Sequence, residues 1–199
     1  GSSSCWSTYE CNRGVAMSFA ANDSFCFGLV GWSGAGKTTL AEKLIASLVK
    51  HGLSVATIKH AHHEFDADIP GKDSWRHRKA GAGQVIVSSV QRSAHFRENR
   101  GTEPALEELI AQLGPCDVVM VEGYKSEAVP KIEVHRKETG APFLYHDDSH
   151  IVALASDTLP DDCTLPQFYI DDYEALVLFV LALRDKKLFG HQPLKGQMS

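Results

Sequence analysis

Gly31–Thr39, GWSGAGKTT, follows the apolar run Phe25–Val30 and leads into Thr38–His51, where Leu40, Leu44, Ile45 and Leu48 share one helical face. The order is strand, glycine-rich loop, helix. Within it, Gly31, Gly36, Lys37 and Thr38 satisfy G-x-x-x-x-G-K-[ST]. Such a loop turns its backbone N–H groups inward, and the helix adds the positive end of its dipole, so the two together cradle phosphate oxygens. Lys37 is expected to reach the β- and γ-phosphates as the catalytic cation. Ser33, Gly34, Ala35 and Thr39 would complete the cradle, and the Thr38 hydroxyl would ligate Mg²⁺. Trp32 reads as packing or shielding, because the loop backbone faces phosphates rather than a base.

Further along, Cys116–Gly123 (CDVVMVEG) has an apolar core suited to the middle of a parallel sheet and delivers Glu122 to its carboxyl edge. Glu122 is the expected second Mg²⁺ ligand, opposite Thr38. Asp117, at the other end of that strand, should lie on the opposite edge of the sheet.

Leu53–Lys59, Ile151–Ala155 and Phe168–Ile170 read as further strands. A short helix is expected near Ser74–Ala80, one over Glu103–Leu113 with Thr102 as N-cap, and a buried one over the apolar Ala175–Leu183, capped by Asp171 or Asp172. The fold class that follows is α/β: a P-loop NTPase-type open, mostly parallel sheet flanked by helices. Gln84–Ser88, Gln91–Phe96 and the alternating, half-exposed Lys131–His135 (KIEVH) are expected to add antiparallel strands.

The whole chain sets outer limits. Its 199 residues carry 43% hydrophobic and 23% charged residues and a net charge of -5, which gives no overall basicity to attract nucleic acid. Five cysteines form no CxxC pair, and the longest apolar stretch is far shorter than the ~20 residues of a membrane span, so a cytoplasmic protein is expected. Residues 1–22 read as a disordered or upstream tail and 189–199 as a C-terminal tail. Between them, 23–188 is expected to form one nucleotide-binding domain.

His60–Ser74, HAHHEFDADIPGKDS, invites a transition-metal reading, but His60, His62 and His63 lack the i, i+4 spacing of a helical zinc pair and have no cysteine beside them. A polar loop that closes over ligand is the favoured alternative. With GWSGAGKTTL, VVMVEGYK and VPKIEVHR, the stretch IKHAHHEFDADIPGKDSWRHRKAGA closely resembles the molybdopterin-guanine dinucleotide biosynthesis protein B (MobB) family. The resemblance covers nearly all of residues 25–157.

That resemblance implies a homodimeric GTP-binding protein with weak GTPase activity; a small-molecule kinase using the P-loop and a nucleotide-bound adaptor without turnover are the alternatives. It would assist a MobA-type guanylyltransferase in joining GMP to molybdopterin, with GTP and Mg²⁺ as cofactors. It carries a polar-loop motif onto Asp66, Gly71, Lys72 and Asp73. Asp66, Asp68 and Asp73 are candidates for positioning the attacking water, with Asp73 the preferred catalytic residue. Lys59, Lys72 and the basic patch of Arg76, Arg78 and Lys79 are candidates for charge, the patch also for the pterin phosphate. No NKxD motif selects guanine; Asp157, at the end of a buried strand, is either the carboxylate that accepts from the base or a turn residue. Lys131–His135 is the strand expected to pair across a two-fold axis.

Overall fold

The computed structural model describes residues 24–61, 65–99 and 101–189. The tails before residue 24 and after 189, and His62 and His63 of the metal reading, lie outside them. Chain contacts divide the protein into two units, one running to His60 and resuming at Leu109, the other spanning Ala61–Glu108.

The first unit is built on a six-stranded, wholly parallel sheet. Its strands are β1 (Phe25–Val30), β2 (Val55–Lys59), β5 (Val118–Glu122), β6 (Lys131–His135), β7 (Ile151–Ser156) and β8 (Gln167–Tyr169), in the spatial order β2-β5-β1-β6-β7-β8. β1 is buried at every position, as a continuous apolar run in a sheet covered on both faces should be. The helix α1 (Lys37–Lys50) lays Leu40, Ala41, Leu44 and Leu48 against Phe25, Phe27 and Leu29, and α4 (Tyr173–Phe189) adds Leu176, Val177 and Val180 to the same core. Asp172 is the α4 cap, its Oδ1 accepting the Ala175 N–H at 3.1 Å. Only one stripe of α4 is buried; Leu178 is exposed, so the apolar Ala175–Leu183 run is not the fully buried helix expected.

β6 departs furthest from expectation. KIEVH is neither antiparallel nor half-exposed: it lies between β1 and β7, parallel to both, with all five residues buried. The alternation reflects two different buried faces. Ile132 and Val134 join the α1–α4 core, while Lys131, Glu133 and His135 are each satisfied by polar atoms. The Lys131 ammonium donates to Lys125 O at 2.6 Å and Glu127 O at 2.9 Å and pairs with Asp148. Glu133 accepts the Leu144 and Tyr145 N–H groups at 2.7 and 2.9 Å; burial pushes its pKa up, against the pull of those two donors. A strand paired on both edges cannot also pair across a two-fold axis.

The second unit carries α2 (Asp73–Lys79) and an antiparallel ribbon of β3 (Gln84–Ser88) and β4 (Ser93–Arg97), the hairpin expected from the sequence. The helix α3 (Leu106–Ile110) straddles the boundary between the units. It is shorter than Glu103–Leu113, because Pro104 disfavours helical backbone in the residue before it and the chain tightens into i→i−3 turns at Gln112 and Leu113 before Gly114-Pro115.

Candidate functional site

The carboxyl ends of β2, β5 and β1 are latched to one another just past the sheet. His60 N–H donates to Glu122 O at 2.9 Å, and Gly123 N–H donates to Leu29 O at 3.2 Å. Glu122 is therefore fixed on both sides at the point where β1 hands over to the phosphate loop. The loop is pressed equally hard against the sheet. A methyl group on Gly31 would stand 2.2 Å from Val134 O, so the loop can leave β1 at that angle only with glycine there.

Past Gly31, the loop and the start of α1 surround a cleft of about 360 Å³ lined by Ser33, Gly34, Gly36, Lys37, Thr38, Thr39 and Glu122. Ala35 is buried beneath it, its N–H donating to Trp32 O at 3.2 Å. The volume is at the small end for ligand pockets. α1 begins with no side-chain cap and no acidic residue in its first turn, which leaves the positive end of its dipole for an anion.

The side chains at this cleft are mutually arranged. Thr38 Oγ1 donates to Glu122 Oε1 at 3.1 Å. Adjacent ligands of an octahedral Mg²⁺ with bonds of about 2.1 Å stand about 3.0 Å apart, so this hydroxyl and carboxylate suit that ion in both spacing and hardness. Lys59 Nζ stands 3.3 Å from Glu122 Oε1 and 3.4 Å from Thr38 Oγ1, a protein cation drawn to the same two oxygens. Lys37 folds back over its loop, donating to Gly31 O at 3.1 Å and Trp32 O at 2.9 Å. Burial lowers its pKa; Glu122 opposes that, while Lys125 and Lys59 add to it.

Two cations had no role assigned from sequence, although both stand in the quoted motifs VVMVEGYK and VPKIEVHR. The Lys125 ammonium lies 4.4 Å above the ring of Trp32, whose Nε1 donates to Pro142 O at 2.8 Å. Arg136 Nε comes within 3.2 Å of where a methyl on Gly36 would sit. Spacing alone could not bring either residue to the phosphate loop, because each follows a different strand.

The other candidates fall elsewhere. Asp117 sits on the amino edge, accepting the Ser54 N–H at 2.7 Å. The Ser54 hydroxyl and N–H hold its carboxyl below the usual range. Asp157 follows β7, and its Oδ1 accepts the Lys137 N–H at 2.9 Å, the turn-stabilising geometry. In the second unit, Asp73 opens α2, exposed, with Arg76 3.8 Å away. Arg78 is no free member of a basic patch: it binds Asp66 at 2.7 Å, Asp68 at 3.0 Å and Glu98 at 2.7 Å, and its guanidinium carbon lies over the Phe96 ring, 5.5 Å from its centre. Asp66 and Asp68 are likewise taken up in holding the loop to α2. Among the described residues no group of three or more histidine, cysteine or acidic side chains is set to hold a metal, and no helix is long and apolar enough to cross a membrane.

A parallel α/β sheet, a glycine-rich loop feeding a helix at the sheet's carboxyl edge and a strand-end carboxylate facing that loop define a P-loop NTPase-type protein. Within that class, the model of the family described as molybdopterin guanine dinucleotide synthesis protein B, MobB, matches residues 26–157, and the chain belongs to that family. It is 41% identical over 160 residues to the molybdopterin-guanine dinucleotide biosynthesis adapter protein of Escherichia coli (strain K12), covering 78% of this chain and 91% of that one. The Haemophilus influenzae protein of the same description is 40% identical over 159 residues, 75% and 88% of the two chains. The crystal structure of Bacillus subtilis MobB matches with a TM-score of 0.63 at 25% identity, covering 79% of this chain and 96% of that one.

Proposed function

We propose that this chain is a GTP-binding accessory protein of molybdenum cofactor biosynthesis. It would assist a MobA-type guanylyltransferase in forming molybdopterin guanine dinucleotide and have weak Mg²⁺-dependent GTPase activity. Membership of the MobB family supports the pathway. The observation that carries the nucleotide reading is the Thr38–Glu122 pair at 3.1 Å, set at the mouth of an uncapped phosphate loop.

In this reading the loop and the α1 N-terminus bind phosphate oxygens, and Lys37 exchanges its two carbonyl partners for the β- and γ-phosphates. Thr38 and Glu122 hold Mg²⁺, which neutralises phosphate charge when bound. Lys125 and Arg136 add positive charge beside the loop. Glu122→Gln is expected to weaken Mg²⁺-dependent GTP binding at least about tenfold, the scale of a lost charged contact, while Asp117→Asn leaves it unchanged. Titration calorimetry with and without Mg²⁺ reads both, and equal losses would remove Glu122 from the metal site.

The relatives' description as adapter proteins favours a second reading, in which bound nucleotide is structural and docking is the output. The guanylyltransferase assayed with molybdopterin and this protein, in GTP or a non-hydrolysable analogue, separates the two. Undiminished stimulation with the analogue selects the adaptor.

We propose that the homodimer implied by the family forms through the second unit, where Ile86 of β3 and Val90 of the turn after it are 69% and 98% exposed, apolar side chains suited to a second copy of the chain.

A further inference from the structure

The three oxygen and nitrogen atoms at the foot of the phosphate loop form a nearly regular triangle: Thr38 Oγ1 to Glu122 Oε1 at 3.1 Å, Lys59 Nζ to Glu122 Oε1 at 3.3 Å, and Lys59 Nζ to Thr38 Oγ1 at 3.4 Å. Lys59 ends β2 and Glu122 ends β5, and the two strands pair with these residues directly opposite each other. The backbone therefore places the lysine beside that carboxylate whatever occupies the loop. Both atoms that suit a hard divalent cation are thus already in contact with a cation belonging to the chain.

From this geometry we infer that Lys59 is a positioning residue that makes divalent-metal binding contingent on nucleotide; the inference rests on the Mg²⁺-nucleotide reading of the site. A metal ion arriving alone must take Glu122 Oε1 and the Thr38 oxygen from Lys59, and two positive charges then compete for one carboxylate. Lys37 and Lys125 also bear on this region, so an ammonium displaced from Glu122 finds no second anion among the side chains that line the cleft. Phosphate oxygens change that balance. They give the Lys59 ammonium a new acceptor at short range, freeing Glu122 and Thr38 for the metal at the same moment. The Lys59 side chain is 60% exposed against 14% for Glu122, so the lysine is the partner able to move. Metal and nucleotide should therefore bind as a pair, each raising the affinity of the other by the same factor.

The test uses Mn²⁺ as a spin probe with the full chain and no nucleotide. An exposed ion pair is worth a few-fold in affinity and like-charge repulsion adds to it, so Lys59→Met is expected to bind Mn²⁺ at least about tenfold more tightly than the unmodified chain. Lys59→Arg, which keeps the charge, should bind Mn²⁺ as weakly as the unmodified chain, and adding Glu122→Gln to Lys59→Met should abolish the gain. Adding GTP should raise Mn²⁺ affinity in the unmodified chain and raise it about tenfold less in Lys59→Met. Equal Mn²⁺ affinity in the unmodified chain and Lys59→Met, or a gain that survives Glu122→Gln, overturns the inference. The arms without nucleotide keep the two readings apart: a chain that gains Mn²⁺ on losing Lys59 yet never binds GTP upholds the competition between Lys59 and metal for Glu122 and overturns the GTP assignment, and with it the coupling to GTP.

Discussion

Asp157 holds a turn: its Oδ1 is engaged by the Lys137 N–H, which with the Thr158 hydroxyl holds its pKa low, burial opposing; that the same carboxylate also selects guanine is a proposal. Asparagine keeps an oxygen for that N–H but removes the charge a guanine N1–H and N2–H₂ would seek. Asp157→Asn is therefore expected to leave the melting temperature nearly unchanged and to cut the preference for GTP over ATP about tenfold. Unchanged affinities for both nucleotides would leave Asp157 with the turn alone. At this scale the sequence was most informative where a motif fixes chemistry and backbone together: Gly31, Lys37, Thr38 and Glu122 stand where G-x-x-x-x-G-K-[ST] and VVMVEG put them. It was least informative for Lys125 and Arg136, whose approach to the loop depends on crossovers rather than spacing.

The strands and helices were legible to the extent that their patterns depend on one environment. β1 is apolar throughout, and β5 and β7 are apolar up to their last residues, Glu122 and Ser156, because both faces are covered, and each was readable from composition alone. β6 misleads because alternation usually marks one wet face, whereas here both faces are dry and the polar one is satisfied internally. Lys131 makes that possible by crossing β1 at Gly28, where a methyl group would stand 2.8 Å from its Cγ, to reach carbonyls in the segment after β5. Lys131→Met keeps most of the stem and strips the ammonium from Asp148, Lys125 O and Glu127 O. A loss of about 3 kcal/mol in urea unfolding is expected, since removing one partner leaves buried polar atoms unpaired. A loss below about 1 kcal/mol would mean that water replaces the ammonium readily.

Across the whole molecule, a net charge of -5 gives no general affinity for polyanions, while Lys37, Lys59 and Lys125 lie close enough together at the phosphate loop to act on an anionic ligand there. The second unit was legible as a hairpin, but its bare side was not, because Ile86 and Val90 read as ordinary strand and turn residues and spacing does not say what packs over them; among the described residues β3 and β4 pair only with each other. An isolated two-stranded ribbon is marginal in water, so a face of this kind gains from a partner. Ile86→Asp combined with Val90→Asp is expected to turn a dimer into a monomer in analytical ultracentrifugation. A persistent dimer would send the interface elsewhere.

Trp32 holds a different kind of consequence. Its indole is pinned to Pro142 O and roofed by the Lys125 ammonium, so its excited state senses a charge 4.4 Å away. If phosphates draw Lys125 off the ring, the emission of Trp32 should shift on nucleotide addition in a variant whose Trp6 and Trp75 are phenylalanine. The phosphate loop then contains its own optical gauge, able to time each arrival and departure without a label.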